Sequence, residues 1–169
     1  LDMENGLLQR NFSVLIPDSG RLHVVFERFC SMQDADTAAV HVTIRSEDFT
    51  GRITLEPYLN FDVYNEDANY GDQFWTRLYE NIEPSHASVS ALTKKTNFTI
   101  SSFMKNVVRK NGEEIPASGA HAEPMKVSYR FSCPIENGEV ITLSKFVVNL
   151  SSFYLDVKSH LETGITKVN

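Results

Sequence analysis

The chain has 169 residues, the length of one ordinary domain; 41% of them are hydrophobic and 22% are charged. A chain of this size buries enough surface to fold without disulfides or a structural metal. Its net charge of −6 argues against a nucleic-acid-binding surface, and no apolar run approaches the roughly 20 residues that cross a bilayer.

The cysteines and the N-terminal residues favour a cytoplasmic protein. Cys30 and Cys133 lie far apart, each inside an apolar run, so we expect two buried free thiols. The first residues show no basic region followed by an apolar core, so no signal peptide is predicted. Free thiols are typical of a reducing compartment.

Apolar and polar residues alternate along the first third of the chain, which is the period of a half-buried strand. In the clearest example, AAVHVTIRS, Val40, Val42 and Ile44 share one face, while His41 and Arg45 lie on the other. Strands are predicted in GLLQRNFSVLIP, LHVVFERFCSM, AAVHVTIRS and ITLEPYL, with turns at PDSGR and EDFTGR between them.

The alternation resumes after residue 85. HASVSALTKK and NFTISSFMKNVVRK are predicted strands, Asn111-Gly112 is a strong hairpin signal, and residues 117–124 have the composition of a loop. MKVSYRFSC and VITLSKFVVNLSS form another predicted hairpin around ENGE, and the tail FYLDVKSHLETGITKVN permits a helix. Eight or nine strands with frequent turns predict an antiparallel β-sandwich or barrel.

The stretch NEDANYGDQFWTRLY, residues 65–79, departs from this pattern. Its apolar residues recur at i, i+1, i+4, i+5 and i+8 from Phe74 to Ile82, which predicts a short amphipathic helix near 72–82. Asp72 would cap that helix and Pro84 would end it. The candidate contact residues of the stretch are Asn65, Glu66, Asp67, Asn69, Tyr70 and Trp75.

Metal binding and catalysis fit this stretch poorly. A calcium loop starting at Asn65 would need glycine at its sixth position and glutamate at its twelfth, where this chain has Tyr70 and Thr76. The five histidines are scattered without zinc-ligand spacing. No nucleophile elbow and no phosphate-binding glycine loop occurs, so no catalytic residue and no metal site is assigned.

The aromatic residues of this region leave two interpretations open. Exposed rings can form a platform on which sugars stack, but a stripe of apolar rings is more often packed against the protein itself. We favour packing for Trp75. The rings concerned are Tyr58, Tyr64, Tyr70, Trp75 and Tyr79.

The segments LLQRNFSV, ERFCSMQD, ITLEPYLNFDVYNEDANYGDQFW and LTKKTNF resemble, in order and spacing, the N-terminal domain of glycoside hydrolase family 65. The likeness covers roughly residues 1–150 and is most specific in PYLNFDVYNEDANYGDQFW. It implies an antiparallel β-sandwich of the supersandwich type over residues 1–152, with residues 153–169 starting a linker to a catalytic (α/α)6 barrel.

The resemblance also implies a function. Members similar to maltose phosphorylase cleave an α-glucoside with inorganic phosphate and invert the anomeric centre, giving β-glucose 1-phosphate. Their general acid lies on the barrel, so this domain would be non-catalytic and need no cofactor, phosphate being a co-substrate of the whole enzyme. The implied partners are that barrel, a disaccharide substrate and a second subunit in a homodimer, without nucleic acid or membrane.

Within this resemblance, residues 61–79 are expected to face the barrel or a second subunit and to shape the active-site entrance or the dimer contact. Two alternatives remain open at this level. One is a domain of a family 65 α-glucoside hydrolase. The other is a stand-alone carbohydrate-binding or structural β-sandwich module.

Overall fold

The structure is a computed structural model that describes residues 1–64 and 73–169. Its strands pair antiparallel and a single helix follows them near the C-terminus, which confirms the mainly β, antiparallel sandwich class. In chain order the elements are β1 (Leu8–Ile16), β2 (Gly20–Cys30), β3 (Thr37–Ser46), β4 (Gly51–Leu55), β5 (Tyr58–Asn60), β6 (Trp75–Ile82), β7 (Ala87–Thr93), β8 (Thr99–Lys110), β9 (Glu113–Ile115), β10 (Gly119–Glu123), β11 (Lys126–Ile135), β12 (Val140–Ser151) and α1 (Val157–Val168).

The chain divides into two compact units. The first comprises Leu1–Glu56, Asn106–Gly119 and Arg130–Phe146, and the second comprises Pro57–Lys105, Ala120–Tyr129 and Val147–Asn169. Each unit is made of antiparallel strands, and β8, β11 and β12 each contribute residues to both.

In the first unit the strand order is β1-β2-β3-β12-β8, with β9 paired to β8 and β4 paired to β11. Alternate residues of β2 and β3 are buried, as the alternating sequence predicts. The hydrophobic core of this unit consists of Leu22, Val24, Val42, Ile44, Phe49, Val108, Phe131, Cys133, Ile135, Ile141 and Leu143.

Tight turns close the strands of this unit. Asn111 and Gly112 both have positive φ angles, 50° and 93°, which confirms the two-residue hairpin predicted between β8 and β9. Gly20 has a φ of 112°, and a Cβ there would lie 2.7 Å from the backbone nitrogen of Phe49. Only glycine therefore fits where β2 begins.

In the second unit the strand order is β12-β8-β7-β6, and β5 pairs with β11. Helix α1, which confirms the helix predicted in the tail, begins at the N-cap Asp156, whose carboxylate accepts from the Lys158 amide at 2.8 Å. Phe103, Val148, Leu150 and Val168 form a buried cluster between the helix and the sheet. No helix in the described residues is long and apolar enough to cross a membrane.

The short helix predicted near 72–82 is wrong, because residues 75–82 form strand β6. This strand pairs with β7 from Trp75↔Thr93 to Ile82↔Ala87, and its register shifts between Arg77 and Tyr79. The extra residue, Leu78, breaks the period of two, so the apolar positions imitate helical spacing. The segment forms a strand because it pairs with β7 and because many of its side chains favour β structure, namely those of Trp75, Thr76, Tyr79 and Ile82.

Two smaller expectations also need correction. Residues 119–123, predicted as part of a loop, form β10. Cys133 is buried as expected, but Cys30 is exposed because β2 ends there. Both are free thiols.

Candidate functional site

The candidate residues Asn65, Glu66, Asp67, Asn69 and Tyr70 lie outside the described residues, so their predicted role remains a prediction. The structure places the sixth candidate, Trp75, at the start of β6, where it is partly buried. It also describes the chain on both sides of the undescribed stretch, at residues 58–64 and 73–82.

Trp75 packs against Phe61. The two rings lie 5.3 Å apart between centroids and are almost parallel, with an interplanar angle of 9°. Offset stacking of this kind adds about 1 kcal/mol beyond the burial of the rings. Because one face of the indole is occupied by Phe61, the packing interpretation of Trp75 agrees with the structure.

A hydrogen bond joins the two sides of the undescribed stretch. The side-chain amide of Gln73 donates to the carboxylate of Asp62, and the Asp62 amide donates to Asn60 Oδ1 at 2.7 Å. One residue further on, the carbonyl of Phe74 accepts from the Lys94 amide at 2.9 Å. Residues 62 and 73 are therefore held together by side chains as well as by the neighbouring aromatic stack.

Glu80, on β6, supports the contacts that flank the undescribed stretch. Its carboxylate accepts from Arg77, whose Nε lies 3.0 Å from Oε1 and 2.9 Å from Oε2 and whose Nη2 lies 2.7 Å from Oε2, and it also accepts from the Met125 amide. The carbonyl of Met125 in turn accepts from the Phe61 amide at 2.8 Å. Glu80 thus helps to position, through the backbone of Met125, the Phe61 ring that stacks on Trp75.

The electrostatics of Glu80 suit a structural role. Its side chain is only 5% exposed. Burial acts to raise the pKa of Glu80, but the hydrogen bonds and charge of Arg77 and the Met125 amide outweigh it, so the pKa is lowered. The group stays ionised at neutral pH, whereas a general acid needs a raised pKa.

Several aromatic side chains in the segments on either side of the undescribed stretch, residues 58–64 and 73–82, are exposed to solvent. Tyr64 is 60% exposed and Tyr58 is 52% exposed. The Lys126 ammonium lies 5.9 Å from the centre of the Tyr58 ring, and it also pairs with Glu123 at 2.6 Å. We call the exposed set, Tyr58, Tyr64, Phe74 and Tyr79, the aromatic surface.

Among the residues that the structure describes, the remaining titratable groups of this unit do not form a reaction centre. Burial, and next the charge of Glu83, raise the pKa of Tyr129 to about 12, and its hydroxyl donates to the Glu83 carbonyl. In the part of the chain that the structure describes, no three His, Cys, Asp or Glu side chains cluster as a metal site would require.

Beneath α1 lies a buried polar cluster that the sequence interpretation did not find. His160, 1% exposed, has its Nδ1 2.9 Å from the Ser101 hydroxyl and its Nε2 3.2 Å from the Leu155 carbonyl. Since a carbonyl only accepts, Nε2 donates to Leu155, and the Ser101 hydroxyl beside Nδ1 also contacts Ser90. The serines of ASVSAL and TISSF were the available signal, but His160 lies 59 residues from Ser101 in sequence.

This cluster resembles part of a serine–histidine pair but is closed to substrates. Both serines are buried, with Ser90 at 0% and Ser101 at 1% exposure, and the helix lies over them. A nucleophile must reach its substrate, so the arrangement fixes the helix to the sheet and carries no reaction.

Comparison with known proteins identifies the family. The family model described as glycosyl hydrolase family 65, N-terminal domain, matches residues 1–167. The chain belongs to this family. Its antiparallel strands and C-terminal helix are the architecture that the resemblance implied for a family 65 N-terminal domain.

Two curated relatives and one solved structure are similar to this family 65 domain. A maltose phosphorylase of Bacillus subtilis (strain 168) is 35% identical over 100 residues, which are 58% of this chain and 13% of the relative. An alpha,alpha-trehalose phosphorylase of Thermoanaerobacter brockii is 24% identical over 155 residues, 87% of this chain and 20% of the relative. A putative kojibiose phosphorylase from the human microbiome has the same fold, with a TM-score of 0.86 and 20% identity over 99% of this chain and 21% of that one.

Proposed function

We propose that this domain is the non-catalytic N-terminal part of an inverting disaccharide phosphorylase, which converts an α-glucoside and phosphate into β-glucose 1-phosphate and a free sugar. The observation that carries the proposal is the match to the family 65 N-terminal domain over residues 1–167, combined with two curated relatives that are both phosphorylases. The chain spans only 13% and 20% of their lengths, so the chemistry is assigned to the remainder of such an enzyme.

The chemistry of the described residues supports a non-catalytic role. Phosphorolysis by inversion needs a protonated acid and a bound phosphate. The most buried carboxylate around the aromatic surface, Glu80, is ionised and fully engaged by Arg77 and Met125. The serine–histidine contact of Ser101 with His160 is buried under α1 and closed to substrates.

We assign the aromatic surface to contact with the catalytic barrel, at the entrance of its active site or at the dimer contact. Tyr58 and Tyr64 expose more than half of their side-chain area, although rings of this size are usually buried. The backbone of Tyr58 is fixed by the pairing of β5 with β11, so this ring is presented without a large ordering cost. The parent enzyme is placed in the cytoplasm, in keeping with two free thiols.

The first experiment compares the 169-residue chain with the full-length enzyme in the presence of maltose, trehalose or kojibiose. We expect the full-length enzyme to form β-glucose 1-phosphate only when phosphate is supplied, with the anomer read by NMR, and the isolated chain to be inactive. Turnover without phosphate would instead identify a family 65 hydrolase. Turnover by the chain alone would contradict the non-catalytic assignment.

The second experiment tests the contact. Tyr64→Ala in the full-length enzyme should change KM, kcat or subunit assembly, whereas Tyr154→Ala, which removes an 86% exposed ring elsewhere in the unit, serves as the matched control. Charge reversal of Glu66 and Asp67 probes the undescribed stretch in the same way. If all of these variants keep wild-type kinetics and assembly, the assigned contact is wrong.

A carbohydrate-binding module is the second candidate, and the exposure of Tyr58 and Tyr64 is the observation that favours it. Stacking of sugar rings on these side chains would give the isolated chain a measurable affinity for maltose. Calorimetric titration of the chain separates the two candidates. Binding that disappears in Tyr64→Ala supports the module, and no heat of binding supports the interdomain contact.

A further inference from the structure

Three asparagine–glycine pairs lie in exposed turns of the first unit. They are Asn5-Gly6, Asn111-Gly112 and Asn137-Gly138. In such a pair the backbone nitrogen of glycine can attack the side-chain amide carbon of the asparagine, because glycine has no Cβ to obstruct the approach. All three pairs are exposed, so the hydrogen bonds around each pair decide which one reacts in the folded chain.

At Asn137-Gly138 the attacking nitrogen is occupied. The Gly138 amide donates to the Ser46 carbonyl at 3.0 Å, and Ser46 is only 1% exposed. Leaving this bond would strand a buried carbonyl without a donor, which is unfavourable. The folded structure therefore protects Asn137.

At Asn111-Gly112 the asparagine side chain is held at both ends of its amide. Asn111 Oδ1 accepts from the Val140 amide at 2.9 Å, and Asn111 Nδ2 donates to Glu139 Oε1 at 2.9 Å. The amide carbon cannot turn towards the Gly112 nitrogen unless both bonds break. Asn111 is therefore also protected, by a different contact.

Asn5-Gly6 has neither form of protection. The pair lies in a turn closed by Asp2 and Leu7, which exchange backbone hydrogen bonds at 2.8 and 2.9 Å. Among the residues that the structure describes, the Gly6 amide donates to no acceptor, and the Asn5 side chain has one bond, from Nδ2 to Asp2 Oδ2 at 2.8 Å. Both partners of that bond are exposed, so water competes for it and the Asn5 side chain can rotate.

We propose that Asn5 is a site of spontaneous deamidation, at which the folded chain acquires aspartate and isoaspartate. The Gly6 nitrogen loses its proton and bonds to Asn5 Cγ, the bond from Cγ to Nδ2 breaks, and ammonia leaves a five-membered succinimide. Water then opens this ring. Cleavage between Cγ and the Gly6 nitrogen gives aspartate, and cleavage between the backbone carbonyl carbon and that nitrogen gives isoaspartate. The balance is one water consumed and one ammonia released, without an oxidant or a reductant.

Both products should loosen the turn. The Asp2 carboxylate accepts from Asn5 Nδ2 and, at 3.1 Å, from the Asn5 amide, and the side-chain bond is the largest cause of the lowered pKa of Asp2. Aspartate replaces the donor by a second carboxylate, and isoaspartate lengthens the backbone by one carbon. The pairing of Asp2 with Leu7, directly before β1, therefore loses support in both products.

Peptide mapping by mass spectrometry tests the order of reactivity. The 169-residue chain is kept in mildly alkaline buffer, once folded and once in urea, and conversion at each pair is followed over time. In the folded chain Asn5 should react at least about tenfold faster than Asn111 or Asn137, because each of these must first lose native hydrogen bonds. In urea the three should react at similar rates. Similar rates in the folded chain, or a faster reaction at either protected pair, would overturn the proposal.

Two variants separate the chemistry from general instability. Asn5→Gln cannot form the five-membered ring and should abolish the acidic form that accumulates in folded wild type. Glu139→Ala releases Asn111 Nδ2 and should speed conversion at Asn111 while leaving Asn5 unchanged.

A readout on the product completes the test. A methyltransferase specific for isoaspartyl carboxylates counts the isoaspartate, and the Leu7 amide should exchange faster with deuterium in aged chain than in fresh chain. An acidic form that persists in Asn5→Gln, no isoaspartate in aged wild type, or an unchanged rate at Asn111 in Glu139→Ala would each contradict the assignment.

Discussion

Replacing Gly164 by alanine gives a sharp test of how α1 packs. Alanine is favoured over glycine inside a helix by about 1 kcal/mol, so the substitution should stabilise an isolated helix. In this structure, however, a Cβ at position 164 would lie 2.2 to 2.4 Å from three atoms of the Phe103 ring. Carbon atoms in contact normally lie about 3.5–4.0 Å apart, so the helix or the ring must move by more than 1 Å.

The expected cost follows from the surroundings of that ring. Phe103 is completely buried and packed by Val148, Leu150 and Val168, so it has no space into which to rotate. Overpacking of a tight core typically costs about 1–3 kcal/mol, and this site belongs at the upper end. Subtracting the helix gain of about 1 kcal/mol leaves a net loss of about 2 kcal/mol. The midpoint of thermal unfolding should fall by about 4–8 °C.

Urea unfolding followed by circular dichroism measures this loss. Thr166→Ala, at an exposed position of the same helix, is the control and should stabilise by a few tenths of a kcal/mol. Adding Phe103→Leu to Gly164→Ala should recover part of the loss, with a coupling energy of about 1 kcal/mol or more. A Gly164→Ala protein as stable as wild type would show that the helix does not approach the sheet this closely.

Three further predictions concern other parts of the chain. Glu80→Gln should lower the free energy of unfolding at pH 7 by roughly 2 kcal/mol. Because the folded pKa of Glu80 is lowered from 4.5, the difference in unfolding free energy between variant and wild type should be full above pH 4.5 and should vanish as the pH falls through the folded pKa. In native protein a thiol reagent should modify Cys30 rapidly and Cys133 only on unfolding, since Cys133 is buried and burial raises the pKa of its thiol. Asn111→Ala should lower the free energy of unfolding, measured with a chemical denaturant, by about 1–2 kcal/mol. Asn111→Gly should lower it less, because glycine tolerates the positive φ. Equal losses in the two variants would assign the whole effect to the side-chain hydrogen bonds of Asn111.

The sequence predicted regular strands well and failed where a local irregularity changed the period. Strands β2 and β3 pair without a register shift, and their alternating residues Leu22, Val24, Val42 and Ile44 are buried as the sequence predicts. In β6 the single extra residue at Leu78 shifts the apolar positions and produces helical spacing. A bulge depends on the partner strand, and a window of one segment does not contain that partner.

The candidate site was predictable in outline only. Trp75 was correctly expected to pack, but its partner Phe61 lies on the other side of the undescribed stretch, and the supporting contact from Glu80 to Met125 joins residues 45 positions apart. Sequence patterns report periodicity within an element, whereas these contacts arise from pairing between elements. For the same reason the polar cluster of His160 could not be foreseen from the tail alone.

The polar contacts beneath α1 restrict where the helix can lie. If α1 slid by one turn along the sheet, either His160 or Val168 would move against Phe103 in place of Gly164, where no Cβ fits. The imidazole would also leave the Ser101 hydroxyl, and an unpaired buried polar group costs about 1–3 kcal/mol. Hydrophobic contacts alone would allow α1 to lie at several neighbouring positions on the sheet. His160 and Gly164 together select one axial position and one rotation of the helix. The direction in which α1 points is therefore encoded by a histidine and a glycine four residues apart.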